Sequence, residues 1–168
     1  QEAWRRFKFP AKFTMSIAQR LYETGKITYH RTDSFNLSEI SLGIAKKFII
    51  ENYGSNYYQF RKFKTKSKGA QEAHEAIRPT YPEITPDQAK LDERQYKLYD
   101  LIWRRFMACQ MKEAVFSATA ADIKAKECIF RATGQTLKFD GFLKVYPIKY
   151  EEAALPPLEK DELLELLK

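Results

Sequence analysis

Cysteine is scarce in this chain: Cys109 and Cys128 are the only two among 168 residues, and they form no C-x-x-C pair. Neither a disulfide framework nor a cysteine-based zinc site is indicated, and both thiols read as reduced core residues of a cytoplasmic protein. Long hydrophobic runs are missing as well. The longest extends only from Phe106 to Cys109, far short of the roughly 20 residues that span a bilayer, so no membrane contact is expected. No stretch near Gln1 combines a basic segment, an apolar segment and a small-residue cleavage site, which leaves secretion without support. Internal repeats are absent, and histidine occurs only twice, as His30 and His74.

What is present is an ordinary globular balance, 44% apolar and 30% charged residues, with enough length for one domain and part of a second. The net charge of +7 is unevenly placed. Residues 1 to 78 hold 15 Lys and Arg against 7 Asp and Glu, whereas residues 79 to 168 hold 14 against 15. The basic excess therefore lies wholly in the first half. Such a surface lowers the free energy of a polyphosphate by releasing its counterions, although a solvated basic face would have the same composition.

Apolar spacing predicts a helix over Thr14–Thr24, with Thr14 as N-cap and Gly25 as the residue that ends it. A β-prone Ile27-Thr28-Tyr29 follows, then the turn-forming Thr32-Asp33-Ser34. A second helix is predicted over Ser38–Tyr53, capped by Ser38, stapled by Leu37 and Leu42, and buried along Ile40, Ile44, Phe48 and Ile49. Gln59 to Gly69 reads as a mobile basic loop, and Gln71 to Ala76 as a helical turn closed before Pro79. Thr85-Pro86 opens a short helix, and Asp92 caps a longer one reaching about Met111.

Beyond Met111 the composition shifts. Val115–Ala125, Cys128–Thr133 and Phe142–Tyr150 read as successive antiparallel strands, and Lys160–Lys168 as a helix by composition. So few strands leave unpaired edges, so the chain is expected to end inside a larger β-domain. The fold class is α+β, with one domain at 1–112 and a partial β-rich domain at 113–168.

Two stretches could carry chemistry. In Tyr29-His30-Arg31-Thr32-Asp33-Ser34 a phenol, which needs a base or a positive charge to act as a nucleophile, lies two residues from a guanidinium. On an extended segment that separation puts both on one face, where the guanidinium could also bind phosphate oxygens. A half-buried tyrosine beside a turn fits the same letters. In Gln71-Glu72-Ala73-His74-Glu75-Ala76-Ile77-Arg78-Pro79, His74 and Arg78 would be neighbours on a helical turn. Without a second histidine four residues after His74 this is no zinc-protease helix, and no metal site is expected in the chain.

The strings AQRLYETGKITYHRTDSFNLS at Ala18–Ser38 and AQEAHEAIRPT at Ala70–Thr80 resemble, in order and spacing, the two signature stretches of type IA DNA topoisomerases, specifically the bacterial topoisomerase I branch. LYDLIWRRFMACQM at Leu98–Met111 and LKFDGFLKVYP at Leu137–Pro147 resemble later family segments. The resemblance implies that Tyr29 attacks one DNA strand and becomes joined to its 5′ phosphate, that Arg31 stabilises the scissile phosphate, and that His74 assists there. It places Gln19, Glu23, Thr32, Asp33 and Arg78 at positions lining or supporting the active site and strand path.

It further implies a winged-helix-like (CAP-like) helical domain followed by strands of the arch or gate, and makes Lys160–Lys168 a strand. The implied substrate is the single-stranded segment of negatively supercoiled DNA, with no small-molecule substrate and no nucleotide cofactor. The implied parent is a monomeric, cytoplasmic, nucleoid-associated enzyme whose Mg2+ is held by a Toprim domain outside this chain, so the fragment alone would not relax DNA. His30 departs from the methionine common in bacterial topoisomerase I and resembles reverse gyrases. Apart from the resemblance, the residues also allow a non-catalytic helical nucleic-acid-binding module. A recombinase would need more basic catalytic residues, and a relaxase a histidine cluster.

Overall fold

The computed structural model describes residues 1–63 and 74–165. Four helices, α1 (Glu2–Phe7), α2 (Ala11–Glu23), α3 (Glu39–Tyr53) and α4 (Glu93–Ala108), form the body, and strands β1 (Val115–Ala125) and β2 (Cys128–Phe139) form an antiparallel ribbon beside it. Single 3-10 turns occur at Ser55–Tyr57, Pro86–Gln88 and Gly141–Lys144. This is the expected α+β class.

Local chemistry accounts for most helix ends. α2 stops in a Schellman motif: Gly25 takes φ 68°, its N–H donates to Tyr22 O at 2.9 Å, and Lys26 N–H donates to Leu21 O at 2.8 Å. Its start lies earlier than expected, because Pro10 rather than Thr14 precedes the first turn. At α3 the Ser38 hydroxyl accepts from Ser41 N–H at 3.3 Å. At α4 the Asp92 carboxylate accepts from Arg94 and Gln95 N–H, each at 2.9 Å. The turn at Pro86–Gln88 carries the expected cap on Thr85.

The core joins α2, α3 and α4 through Ile17, Leu21, Ala45, Ile49, Leu98 and Met107. Trp103 of α4 is locked twice, by its ring N–H donating to Pro82 O at 2.8 Å and by an edge contact with Phe48 at 5.3 Å. The buried stripe of α3 runs through Ser41, Leu42, Ala45 and Ile49, and Ile40 is 78% exposed. Apolar residues on nearly all sides of α3 permit two stripes, and contact with the body selects the one containing Ala45.

Several expectations are corrected. Phe142–Tyr150 is not a strand. Phe142 N–H donates to Lys112 O at 2.9 Å, Val145 belongs to the helical core and Phe142 packs against it, so this stretch returns to the helical body instead of pairing with β2. Residues 160–165 contain neither helix nor strand, and 166–168 lie outside the described residues. Cys128 is exposed beside the ribbon's turn, while Cys109 is half-buried; both are free.

The described part of the basic segment, 59–63, is docked. The side chain of Gln110, fully buried, clasps the Arg61 backbone: its Oε1 accepts from Arg61 N–H at 3.2 Å and its Nε2 donates to Arg61 O at 2.9 Å. Arg61 reaches Met111 O and Glu113, and Lys62 pairs with Glu39 at 2.5 Å. The remainder of that segment and of the predicted turn at 71–76 lies outside the described residues up to Ala73. The described residues of that turn, 74–76, are non-helical.

Candidate active site

The turn after α2 sends residues 26–28 alongside 78–80. Thr28 N–H donates to Arg78 O at 2.9 Å, Thr80 N–H donates to Lys26 O at 3.0 Å, and Ile27 bridges Pro79. The Thr28 hydroxyl completes the seam, donating to Ala76 O at 2.8 Å and accepting from Arg78 N–H at 2.9 Å. Ala76 N–H donates to Asn36 O at 2.8 Å. Two stretches fifty residues apart are thus stitched together backbone to backbone, and the seam ends at Tyr29.

Alternation along this extended piece exposes Tyr29 and Arg31 and buries His30. The Tyr29 ring, 39% exposed, is packed edge-on by three others: Tyr22 from the last turn of α2 at 5.2 Å, His30 at 5.5 Å and His74 at 5.7 Å. Its hydroxyl makes no hydrogen bond with a described residue. Aromatic edges therefore hold the ring while its oxygen stays open to a ligand.

Arg31 and Asp33 are exposed, and neither forms an ion pair or hydrogen bond with a described residue. The Thr32 hydroxyl accepts from Ser34 N–H at 3.0 Å, and the Ser34 hydroxyl accepts from Asn36 N–H at 3.1 Å, so two successive side-chain turns shape the loop. Gln19 donates to Glu23 at 2.6 Å along α2. Arg78 is turned inward: it pairs with Glu75 at 2.5 Å and donates to Pro79 O at 2.8 Å. The structure thus joins Tyr29 to His74, leaves Arg31 and Asp33 unbound beside them, and uses Arg78 to brace the segment that carries His74.

His30 is only 4% exposed. Burial lowers its pKa, the Arg31 charge lowers it further, and Glu23 opposes both. Thr28, Tyr22 and Glu75 are parts of the site that sequence reasoning did not single out. The two histidines falling one in each stretch was the available signal for the pairing at Tyr29. Among the described residues no three His, Cys, Asp or Glu side chains gather in a way that could hold a metal ion, and no helix is long and apolar enough to cross a membrane.

The family model described as DNA topoisomerase matches residues 1–168. The DNA topoisomerase 1 of Rickettsia conorii is 45% identical over 184 residues, covering 98% of this chain and 24% of that protein. That of Pseudomonas aeruginosa is 45% identical over 173 residues, covering 100% and 20%. The full-length topoisomerase I structure from Thermotoga maritima superposes with a TM-score of 0.82 at 35% identity, covering 95% of this chain and 27% of that one. The chain thus spans about a fifth to a quarter of the length of the curated relatives it matches.

Proposed function

Because the chain belongs to the bacterial type IA DNA topoisomerase family, we propose that Tyr29 is the nucleophile of a DNA strand transesterification. Its phenolic oxygen forms a bond to phosphorus, the bond from phosphorus to the 3′ oxygen breaks, and the proton given up by the phenol is balanced by one taken up by the leaving 3′ hydroxyl. The product is a 5′-phosphotyrosyl ester and a free 3′ end. One phosphodiester is exchanged for another, so resealing by the reverse step needs no nucleotide. Passage of a second strand between the two steps changes the linking number and relaxes negatively supercoiled DNA.

The observation that carries this reading is the open Tyr29 hydroxyl with the His74 ring packed 5.7 Å from its own. In this reading His74 relays the proton, and Arg31 meets the equatorial phosphate oxygens as negative charge builds there. Gln19, Glu23, Thr32 and Asp33 border the path of the single strand. Magnesium, which the family resemblance implies, is proposed to enter with ligands outside this chain. The isolated chain is accordingly proposed to be inactive in relaxation.

The test uses the complete enzyme and a single-stranded oligonucleotide labelled at one end, trapped with denaturant. A 3′ label should stay with the protein and a 5′ label should leave. Tyr29→Phe should abolish the adduct with the melting temperature held within about 1 °C, because the hydroxyl bonds no described residue. An undiminished adduct in that variant would move the nucleophile elsewhere.

A further inference from the structure

Behind the loop that carries Tyr29 lies a cavity of about 630 Å3, inside the range of roughly 300–1,000 Å3 typical of small-molecule sites. Met15 and Ala18 of α2 and Leu98, Leu101 and Ile102 of α4 form one side, and the loop residues His30, Thr32, Asp33 and Ser34 form the other. Tyr29, Arg31 and His74 are not part of its lining, so it is separate from the face on which the phenol stands. His30 lines it at 4% exposure, and neither Nδ1 nor Nε2 has a hydrogen-bond partner. A buried imidazole in that state is under-satisfied, and a ligand able to pair with it would gain accordingly.

We infer that this cavity binds a neutral heteroaromatic molecule whose ring N–H donates to the His30 imidazole while its carbon faces pack against Leu101 and Phe106. The apolar walls call for an apolar body, and Phe35, Phe63 and Phe106 supply aromatic surfaces for one. Burial and the neighbouring Arg31 charge favour the neutral imidazole, which keeps one acceptor nitrogen. Glu2, Asp33 and Arg105 line the site, and Glu2 is already paired with Arg5 and Arg6, so the wall is left with one charge of each sign and no excess to compensate a charged ligand. An occupant would touch residues 32–35 from below and thereby steady or displace the backbone leading to Tyr29.

The test titrates indole and 1-methylindole into this chain, followed by saturation-transfer NMR. Indole should bind saturably, and 1-methylindole, which offers the same faces without the N–H, about three- to tenfold more weakly. In His30→Met that difference should vanish, and Ile102→Trp, which pushes a bulky ring into the cavity beside Leu101, should weaken binding of both. Absence of saturable indole binding, or equal affinities for the two probes in the unaltered chain, would overturn the inference. The probe comparison needs no variant, so it decides even where a variant does not fold. It reads binding alone and stands or falls independently of the Tyr29 chemistry.

Discussion

Replacing Thr28 by Val tests whether the seam beneath Tyr29 governs both stability and chemistry. The change keeps the side-chain shape and removes only the hydroxyl, leaving Ala76 O and Arg78 N–H without their partners at 2.8 and 2.9 Å. Each lost bond costs about 1 kcal/mol net, and stranding part-buried backbone groups adds to this, so the total loss is about 2–3 kcal/mol. At this chain length a loss of 1 kcal/mol lowers the melting temperature by about 2–4 °C, so a drop of about 4–12 °C is expected. The backbone bond from Thr28 N–H to Arg78 O remains, so the fold persists while the strand leading from His74 loosens. Misplacement by about 1 Å can cost a hundredfold in rate, and adduct formation by the complete enzyme should fall by about ten- to a hundredfold. Thr28→Ser, which retains the hydroxyl, should lose far less of either. A Thr28→Val variant with unchanged melting and unchanged adduct rate would refute the reasoning.

Arg31→Lys loses the planar fork that can grip two phosphate oxygens; adduct formation should drop by about a hundredfold or more, while melting stays nearly constant because Arg31 bonds no described residue. Equal losses in both would contradict its role. Gly141→Ala should destabilise by more than about 2 kcal/mol in denaturant titration, since Gly141 sits at φ 48° and an added Cβ would lie 2.4 Å from Glu113 O and 2.6 Å from Lys112 O. The pH dependence follows from His30. Its folded pKa lies below the ordinary value of about 6.5, so the unfolded chain binds more protons, and the contribution is complete above that pH and lost as pH falls below it. Melting temperature should therefore decline less steeply between pH 7 and 5 in His30→Met than in the unaltered chain, and parallel curves would exclude His30 as a source.

Where the sequence was legible, a local cause was enough. Ser38, Asp92 and Gly25 end their helices through bonds to neighbours a few residues away, and the alternating β-branched stretch at Val115–Ala125 forms a strand with those bounds. The contact between the two signature stretches was implied by family resemblance, and the seam through Thr28 gives it a physical basis. Features that depend on distant partners were not legible. Helix α1 was missed because its ends are secured from far along the chain, by Tyr146 donating to Glu2 at 3.1 Å and by Arg6 lying 4.2 Å over the Tyr146 ring. Phe142 and Val145 have strand-like composition but join the core built by the helices.

The β1–β2 ribbon has a mechanical consequence. At about 3.3 Å per residue it extends for about 36 Å, and its base is fastened where the Tyr57 hydroxyl donates to Asp140 at 2.7 Å, the Tyr57 and Phe139 rings meet at 4.9 Å, and Gly141 lies against the backbone of Lys112 and Glu113. A tilt of about 10° about that base would sweep the Lys126-Glu127 tip through about 6 Å. Force applied at the far end would be shared between this base and the segment 151–153, where Gln135 donates to Glu151 O at 2.8 Å and Ala153 N–H donates to Gln135 O at 3.1 Å, so both holds would set how far the tip swings for a given load.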